Sequence, residues 1–220
     1  MKNFLGALMA GVVAAVLALG PSVTTAAAND STPLDKYFDG LSTLRASFTQ
    51  TVKDARGKEV DRATGTLVVA RPGKFRWEVQ PKAGSGGAGQ LLVADGRNVW
   101  FLDRDLEQVT VKPIDTALSS TPAMLLSGAS DLRSSFKVTP AGTRDALDWV
   151  LVEPKKSEAD FRRALFGFGK GNLQKMIIDD RLGQTATIEF DKVERNAHVA
   201  PDEVSFTPPP GTDVIGKPAT

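Results

Sequence analysis

A serine hydrolase needs a nucleophile on a tight turn, an imidazole within reach and an acid behind the imidazole. The chain offers Ser85 in Ala83-Gly84-Ser85-Gly86-Gly87, close to a nucleophile elbow, and a single imidazole, His198. His198 sits in a polar loop near Pro201, so a triad forms only if that loop folds across the rest of the chain. The run Gly84 to Gly89 also contains Gly-x-Gly-x-x-Gly, but a dinucleotide site requires a helix N-terminus after the glycines to hold the pyrophosphate. Leu91-Leu92-Val93-Ala94 reads as a strand instead, no Lys-Ser/Thr pair follows, and the glycines read as a flexible hairpin loop. Asp103, Asp105 and Glu107 begin like a calcium loop but lack the central glycine, and Ile114 stands where the bidentate glutamate belongs. They read as a charged turn. Glycoside hydrolysis asks only for two carboxylates, which no pattern here singles out. Without cysteine, thiol catalysis, disulfides and Cys-ligated zinc are excluded, and 27 Lys+Arg against 26 Asp+Glu leave no electrostatic footprint for nucleic acid or an anionic membrane. Residue chemistry therefore points to no cofactor and to apolar surface as the means of binding.

The elements that would position such a surface start after a leader. Lys2, the apolar run Phe4 to Leu19, Gly20-Pro21 and Ala26-Ala27-Ala28 form a secretory signal with cleavage expected near Ala28, so residues 1–28 are set apart and 29–220 are expected to be one soluble, exported domain. Thr32-Pro33-Leu34-Asp35 carries an N-cap, an early proline and an acid, and Leu34, Tyr37, Phe38, Leu41 and Leu44 follow at helical spacing, which predicts a helix over 33–44. From Ser47 the period becomes two. Strands are expected at Phe48 to Val52, Thr66 to Val69, Phe75 to Val79, Leu91 to Ala94, Val99 to Leu102 and Leu106 to Val111, with Asp95-Gly96 as a tight hairpin turn. Between 113 and 130 the alternation stops, and Pro113-Ile114-Asp115 and Thr121-Pro122-Ala123-Met124-Leu125-Leu126 each look like a short helix start. Strand character returns at Ser135 to Thr139, Leu147 to Glu153, Arg163 to Phe168, Leu173 to Asp179 and Thr185 to Val193, with Val204-Ser205-Phe206 as a last strand before a Pro-rich tail. About ten or eleven short strands with few helices imply a mainly β fold: an antiparallel sheet closing on itself, a barrel or half-barrel, with helices expected over its concave side.

Large apolar residues are concentrated on these strands, among them Phe48, Phe75, Trp77, Trp100, Phe101, Trp149, Phe166, Phe168 and Phe190. They fit either a packed β core or a concave face that takes an apolar ligand beneath a helical lid, and composition does not choose.

Several strings do choose: Phe48-Thr49-Gln50, Gly65-Thr66-Leu67, Arg71-Pro72-Gly73-Lys74-Phe75-Arg76-Trp77, Asp95-Gly96 with Val99-Trp100, Glu107-Gln108, Thr121-Pro122, and Phe206-Thr207-Pro208-Pro209-Pro210-Gly211-Thr212-Asp213-Val214. In order and spacing the chain resembles the periplasmic outer-membrane lipoprotein carrier family, LolA. The resemblance implies a mainly β fold, an incomplete antiparallel β-barrel of about eleven strands with a helical lid over an apolar cavity for lipoprotein acyl chains, and a non-catalytic, monomeric periplasmic chaperone. Such a chaperone takes acylated lipoproteins from an inner-membrane ABC lipoprotein-releasing transporter to an outer-membrane lipoprotein acceptor. Carried over by residue, Arg71 is the lid latch, and Phe38, Leu41, Phe75, Trp77, Met124 and Leu126 face the cavity. The glycine-rich loop 84–89 is longer than the family's usual connection. Two other readings remain: a periplasmic sensor or scaffold of the same architecture with a filled concave face, and a hydrolase bringing His198 to Ser85.

Overall fold

The computed structural model describes residues 31–219 apart from 85, 118–123, 129–131, 157 and 158; the expected leader lies outside these residues. Two antiparallel meanders account for most of the described chain. The first is β1 (Thr43–Lys53), β2 (Glu59–Ala70), β3 (Lys74–Pro81), β4 (Gln90–Asp95), β5 (Asn98–Asp103) and β6 (Gln108–Pro113). The second is β7 (Phe136–Arg144), β8 (Leu147–Pro154), β9 (Phe161–Gly169), β10 (Asn172–Asp180) and β11 (Thr185–Arg195). They join where β1 pairs antiparallel with β11, Phe48 opposite Phe190. Asp95-Gly96 makes the expected turn: Asp95 Oδ1 accepts the amides of Arg97 and Asn98 at 2.8 and 2.7 Å, and Gly96 takes φ of 97°.

The sheet has a twelfth strand, β12 (Asp213–Gly216), which runs parallel to β6 and forms one edge, with β7 at the other, so the barrel is not closed. The expected strand at 204–206 is instead the end of a 3-10 helix (Pro201–Val204) and extended chain. Three consecutive prolines, Pro208 to Pro210, then leave no backbone donors for a ladder, and pairing resumes only at Asp213.

Helix α1 covers only Pro33–Phe38. Its start follows the sequence: Thr32 Oγ1 accepts the Asp35 amide at 3.3 Å while Asp35 Oδ2 accepts the Thr32 amide at 2.8 Å, a reciprocal cap. Its end comes earlier than the apolar spacing predicts, because Gly40 adopts φ of 65° and the chain turns into β1, where Leu44 becomes a strand residue. The long connection from β6 to β7 holds α2 (Ile114–Ala117), α3 (Met124–Ser127) and α4 (Leu132–Ser135). The first two match the expected short helices; Thr121 and Pro122 lie outside the described residues.

Alternation along the strands separates two apolar layers. One face carries Leu44, Phe48, Leu67, Val69, Phe75, Trp77, Val138, Val150, Phe166, Phe168, Met176 and Ile188, which form a single core with Leu34, Tyr37, Leu125 and Leu126 of the helices. This is the inner face. The opposite face of β4 to β6 holds a smaller cluster, Leu91, Val93, Leu102 and Val109, with Trp100 and Phe206 against it. It is covered by the segment that leaves β11 and contacts β2, β3 and β4 through the 3-10 helix on its way to β6.

Candidate functional site

The short helices over the inner face are attached to the sheet by a few side chains. Arg71, just after β2, donates from Nη1 to the Phe38 carbonyl at the end of α1 at 3.2 Å, and its Cζ lies 4.6 Å from the centroid of the Phe38 ring. Its guanidinium also lies against Gly128, immediately after α3, where any side chain would collide with it. One arginine thus touches both lid pieces. Among the described residues no carboxylate pairs with it, and burial lowers its pKa below the usual arginine value without removing the charge. Beside it the Gly73 amide donates to the Ser127 carbonyl at 2.9 Å, a backbone bond from sheet to α3. At the other end of α1, Asp35 accepts from Arg133 Nη2 of α4 at 2.6 Å. Burial raises the pKa of this carboxyl, but its bonds from Thr32 and Arg133 outweigh burial and hold it below the ordinary aspartate value.

The residues expected to face the ligand sit under this lid. Phe75, Trp77, Leu41 and Leu126 are buried in the inner core, and Phe38 is half-buried against it. Met124 opens α3, but its side chain lies outside the described residues. Trp77 stacks on Phe48 at 4.2 Å and meets Phe190 edge-on at 6.2 Å. Gly65, opposite Phe48 across the β1–β2 ladder, makes room for that ring: a side chain there would strike Phe48 and the Glu78 carbonyl.

Beyond the lid the inner face is open to solvent at the other end of the strands. Gln50, Trp77, Val79, Gln90, Leu92 and Phe101 line a cavity of about 220 Å³, and Phe101 is 36% exposed. A neighbouring cavity of about 190 Å³ shares Gln50, Val79 and Gln90 but adds Asp61, Asp105, Gly87 and Gly89, so an apolar floor passes into a polar rim beside the glycine-rich loop. Val79, Leu92 and Phe101 were not among the expected site residues. Their signal is the period of two, which puts Val79 on the face of Phe75 and Trp77, and the register then sets Leu92 and Phe101 opposite one another.

Among the described residues, nothing in this arrangement assembles a reacting centre. His198 is an exposed residue whose carbonyl accepts from Arg45 Nη2 at 3.0 Å, Ser85 lies outside the described residues, and Asp103 to Glu107 form a hairpin turn in which Asp103 accepts the Asp105 amide at 3.0 Å. No group of three or more potential metal ligands occurs among the described residues. The face can bind apolar chains.

Comparison with known proteins agrees with the geometry. Residues 39–207 match the family described as Outer membrane lipoprotein carrier protein LolA. The outer-membrane lipoprotein carrier protein of Chromobacterium violaceum is 39% identical over 216 residues, covering 98% of each chain. That of Dechloromonas aromatica is 38% identical over 205 residues, covering 93% of this chain and 95% of its own. A crystal structure of an uncharacterized conserved protein from Thermus thermophilus shares the fold at a TM-score of 0.52 with 14% identity, over 83% of this chain and 96% of its own. With a family match across most of the sheet and relatives aligned over nearly their whole length, the chain belongs to the outer membrane lipoprotein carrier family.

Proposed function

We propose that this protein is a periplasmic lipoprotein chaperone that shields the acyl chains of lipoproteins between two membranes. The observation that carries the reading is an apolar inner face covered by short helices, whose attachment to the sheet includes one arginine without an ion-pair partner among the described residues. Helices of four to six residues are not stable alone, so a cover made of them can be displaced. Each buried CH₂ contributes about 0.8 kcal/mol, so a three-chain anchor faces tens of kcal/mol in crossing water unaided. A carrier removes that barrier without chemistry, which is why the reading includes no catalysis and no cofactor.

In this reading residues 1–28 are a cleaved leader and 29–220 the carrier domain, acting as a monomer. Cargo arrives from an inner-membrane ABC transporter and leaves to an outer-membrane acceptor. Acyl chains displace the lid and lie along Phe38, Leu41, Phe75, Trp77, Met124 and Leu126, with Arg71 as the latch between closed and loaded arrangements. The sensor or scaffold reading is served less well, because the open apolar end at Val79, Leu92 and Phe101 gives chains an entry that a filled face would not need. A transfer assay with purified transporter, carrier and acceptor tests the proposal: a labelled lipoprotein should leave inner-membrane vesicles only when the carrier is present and should co-purify with it. Release without the carrier, or no soluble complex, would overturn it.

A further inference from the structure

Four consecutive carbonyls at the C-terminal end of α1 and in the turn after it are met by side chains from the sheet. Tyr37 O accepts from Arg195 Nη2 at 2.8 Å, Phe38 O from Arg71 Nη1 at 3.2 Å, Asp39 O from Arg195 Nη2 at 3.4 Å and Gly40 O from Asn196 Nδ2 at 3.0 Å. A helix end leaves its last carbonyls without intrahelical donors and favours cations, so one of these contacts alone would be unremarked capping. What separates them is what each arginine also holds.

Arg71 lies between α1 and Gly128 behind α3, so at least one of its two contacts must break when those two pieces part. Among the described residues, Arg195 and Asn196 tie α1 only to the strand ends next to it. The Asn196 amide donates to Thr43 O at 2.8 Å, and Asn196 Oδ1 accepts the Ser42 amide at 2.9 Å and the Ser42 hydroxyl at 3.0 Å. Arg195 Cζ stands 4.7 Å from the centroid of the Tyr37 ring. Asn196, just past β11, has φ of 57°, a left-handed conformation that asparagine tolerates, and it turns the chain so that its own side chain meets residues 40–42. Every one of these contacts can persist while the N-terminal end of α1, which the Asp35–Arg133 pair ties to α4, moves with that helix.

We infer that Arg195 and Asn196 form a fixed pivot for α1, distinct from the Arg71 latch: positioning residues that stay engaged while the lid swings. The inference rests on the carrier reading, since only a displaceable lid needs a pivot. It accounts for how so short a helix can swing off the inner face about Tyr37 and return Leu34 and Phe38 to the same places, which displacement of acyl chains at delivery requires.

Tyr37 is the chain's one tyrosine, so 3-fluorotyrosine gives a single ¹⁹F reporter on α1. In full-length carrier without cargo, Arg71→Leu should add a second discrete ¹⁹F resonance. It should also speed exchange of the Gly73 amide, bonded to Ser127 O, at least tenfold, while the Asp39 and Leu41 amides stay within about twofold. Arg195→Leu should do the reverse: a broadened resonance and at least tenfold faster exchange at Asp39 and Leu41, with Gly73 unchanged. Arg195→Lys, which keeps the charge but not the planar fork, should recover a substantial part of that protection. Asn196→Asp, which keeps the acceptor for Ser42 but removes the donor to Gly40, should give a smaller loss at the same amides and covers the case in which Arg195→Leu fails to fold. Identical exchange patterns for Arg71→Leu and Arg195→Leu, or no change in Arg195→Leu, would overturn the pivot. Addition of a triacylated lipopeptide to wild-type protein tests the carrier reading separately: failure to bind overturns that reading, whereas the exchange patterns alone decide the pivot.

Discussion

Arg71 makes a single side-chain hydrogen bond to α1, and a charge-assisted bond of this kind contributes about 1.5–3 kcal/mol. Arg71→Leu should therefore shift the lid toward open, raise affinity for an apolar fluorophore by roughly tenfold, and in the transfer assay load normally but release poorly; delivery at the wild-type rate would reduce Arg71 to a turn residue. At the open end, Phe101→Glu should weaken binding of an acylated peptide by about tenfold while the melting temperature moves by only a few degrees, because the side chain is already part-exposed and the new carboxylate remains hydrated. Tyr37 makes a third test. Its ring is buried against Phe168, and its hydroxyl lies near the Leu173 backbone but outside hydrogen-bonding geometry, so it has no partner among the described residues. Burial pushes its pKa from 10.0 up to about 12. An unfolded chain then loses that proton first as pH rises, so stability present below pH 10 should decline through pH 12 by about 2–3 kcal/mol, at about 1.4 kcal/mol per pH unit. Urea unfolding of wild type and Tyr37→Phe across pH 9 to 12 measures it: the variant should lack this part of the decline and be no less stable at pH 7. Arg71 and the aromatic residues were singled out through the resemblance that Arg71-Pro72 and Phe75-Arg76-Trp77 help to carry, since on spacing alone Arg71 reads as a solvated turn residue. Arg195 was not, because its partner carbonyls belong to residues some 155 positions away and leave no mark on side-chain spacing.

Among the elements, α1 and β2 carry the sharpest consequences. Thr32 is a buried N-cap, and loss of its side chain removes the acceptor for the Asp35 amide and the hydroxyl's own bond to Asp35 Oδ2, leaving only the backbone half of the reciprocal cap. Thr32→Ala should cost about 1–2 kcal/mol, felt locally as faster amide exchange in α1 while the sheet core keeps its protection. In β2, Gly65→Ala forces a methyl against the Phe48 ring and the Glu78 carbonyl, an overpacking worth about 1–3 kcal/mol, and should lower the melting temperature by roughly 5–10 °C in a scanning measurement. The strands were read with good fidelity because one face of each is buried and the other is not, which writes a period of two into the sequence. The helix end was misjudged for the same kind of reason: Leu41 and Leu44 are buried, as a continued helix would have them, but from a turn and a strand. Gly40 was the contrary signal. The parallel strand β12 was unreadable, since Asp213 to Gly216 is exposed at the sheet edge and carries no burial pattern.

On the scale of the whole described domain, the two faces of the sheet have separate duties. The inner core meets the lid, while Leu91, Val93, Leu102 and Val109 on the outer face depend on the segment after β11 for their cover. Phe206 lies 5.6 Å from Trp100, and Arg45 pairs with Glu203 at 2.5 Å, so this segment is fastened by an aromatic contact and an ion pair. Phe206→Ala should cost about 1–3 kcal/mol in urea unfolding while leaving fluorophore binding within twofold, because the cavity side is untouched. Loss of binding in proportion to stability would mean that the two faces do not act separately. A barrel or half-barrel was legible from strand count and helices over it from the break between 113 and 130, while the incomplete barrel with its lid came from the resemblance; the outer cluster was not legible, because its residues alternate with core residues on the same strands.

The join of β1 to β11 also imposes an order in time. Phe48 meets Phe190, so the middle of the sheet is made from segments about 140 residues apart, and β12 reaches β6 across a gap of about 105. As the exported chain emerges from its N-terminal end, β1 to β6 can zip together early, but the free edge of β1, with Phe48 and its neighbours, stays bare until the last quarter of the polypeptide arrives. Long-range pairing of this kind folds slowly and leaves a sticky edge in the interval. A carrier of greasy cargo is itself the greasiest object in its own biogenesis until residue 195 has emerged, and chains ending before Thr185 should be captured by chaperones or aggregate rather than persist as a stable half-sheet.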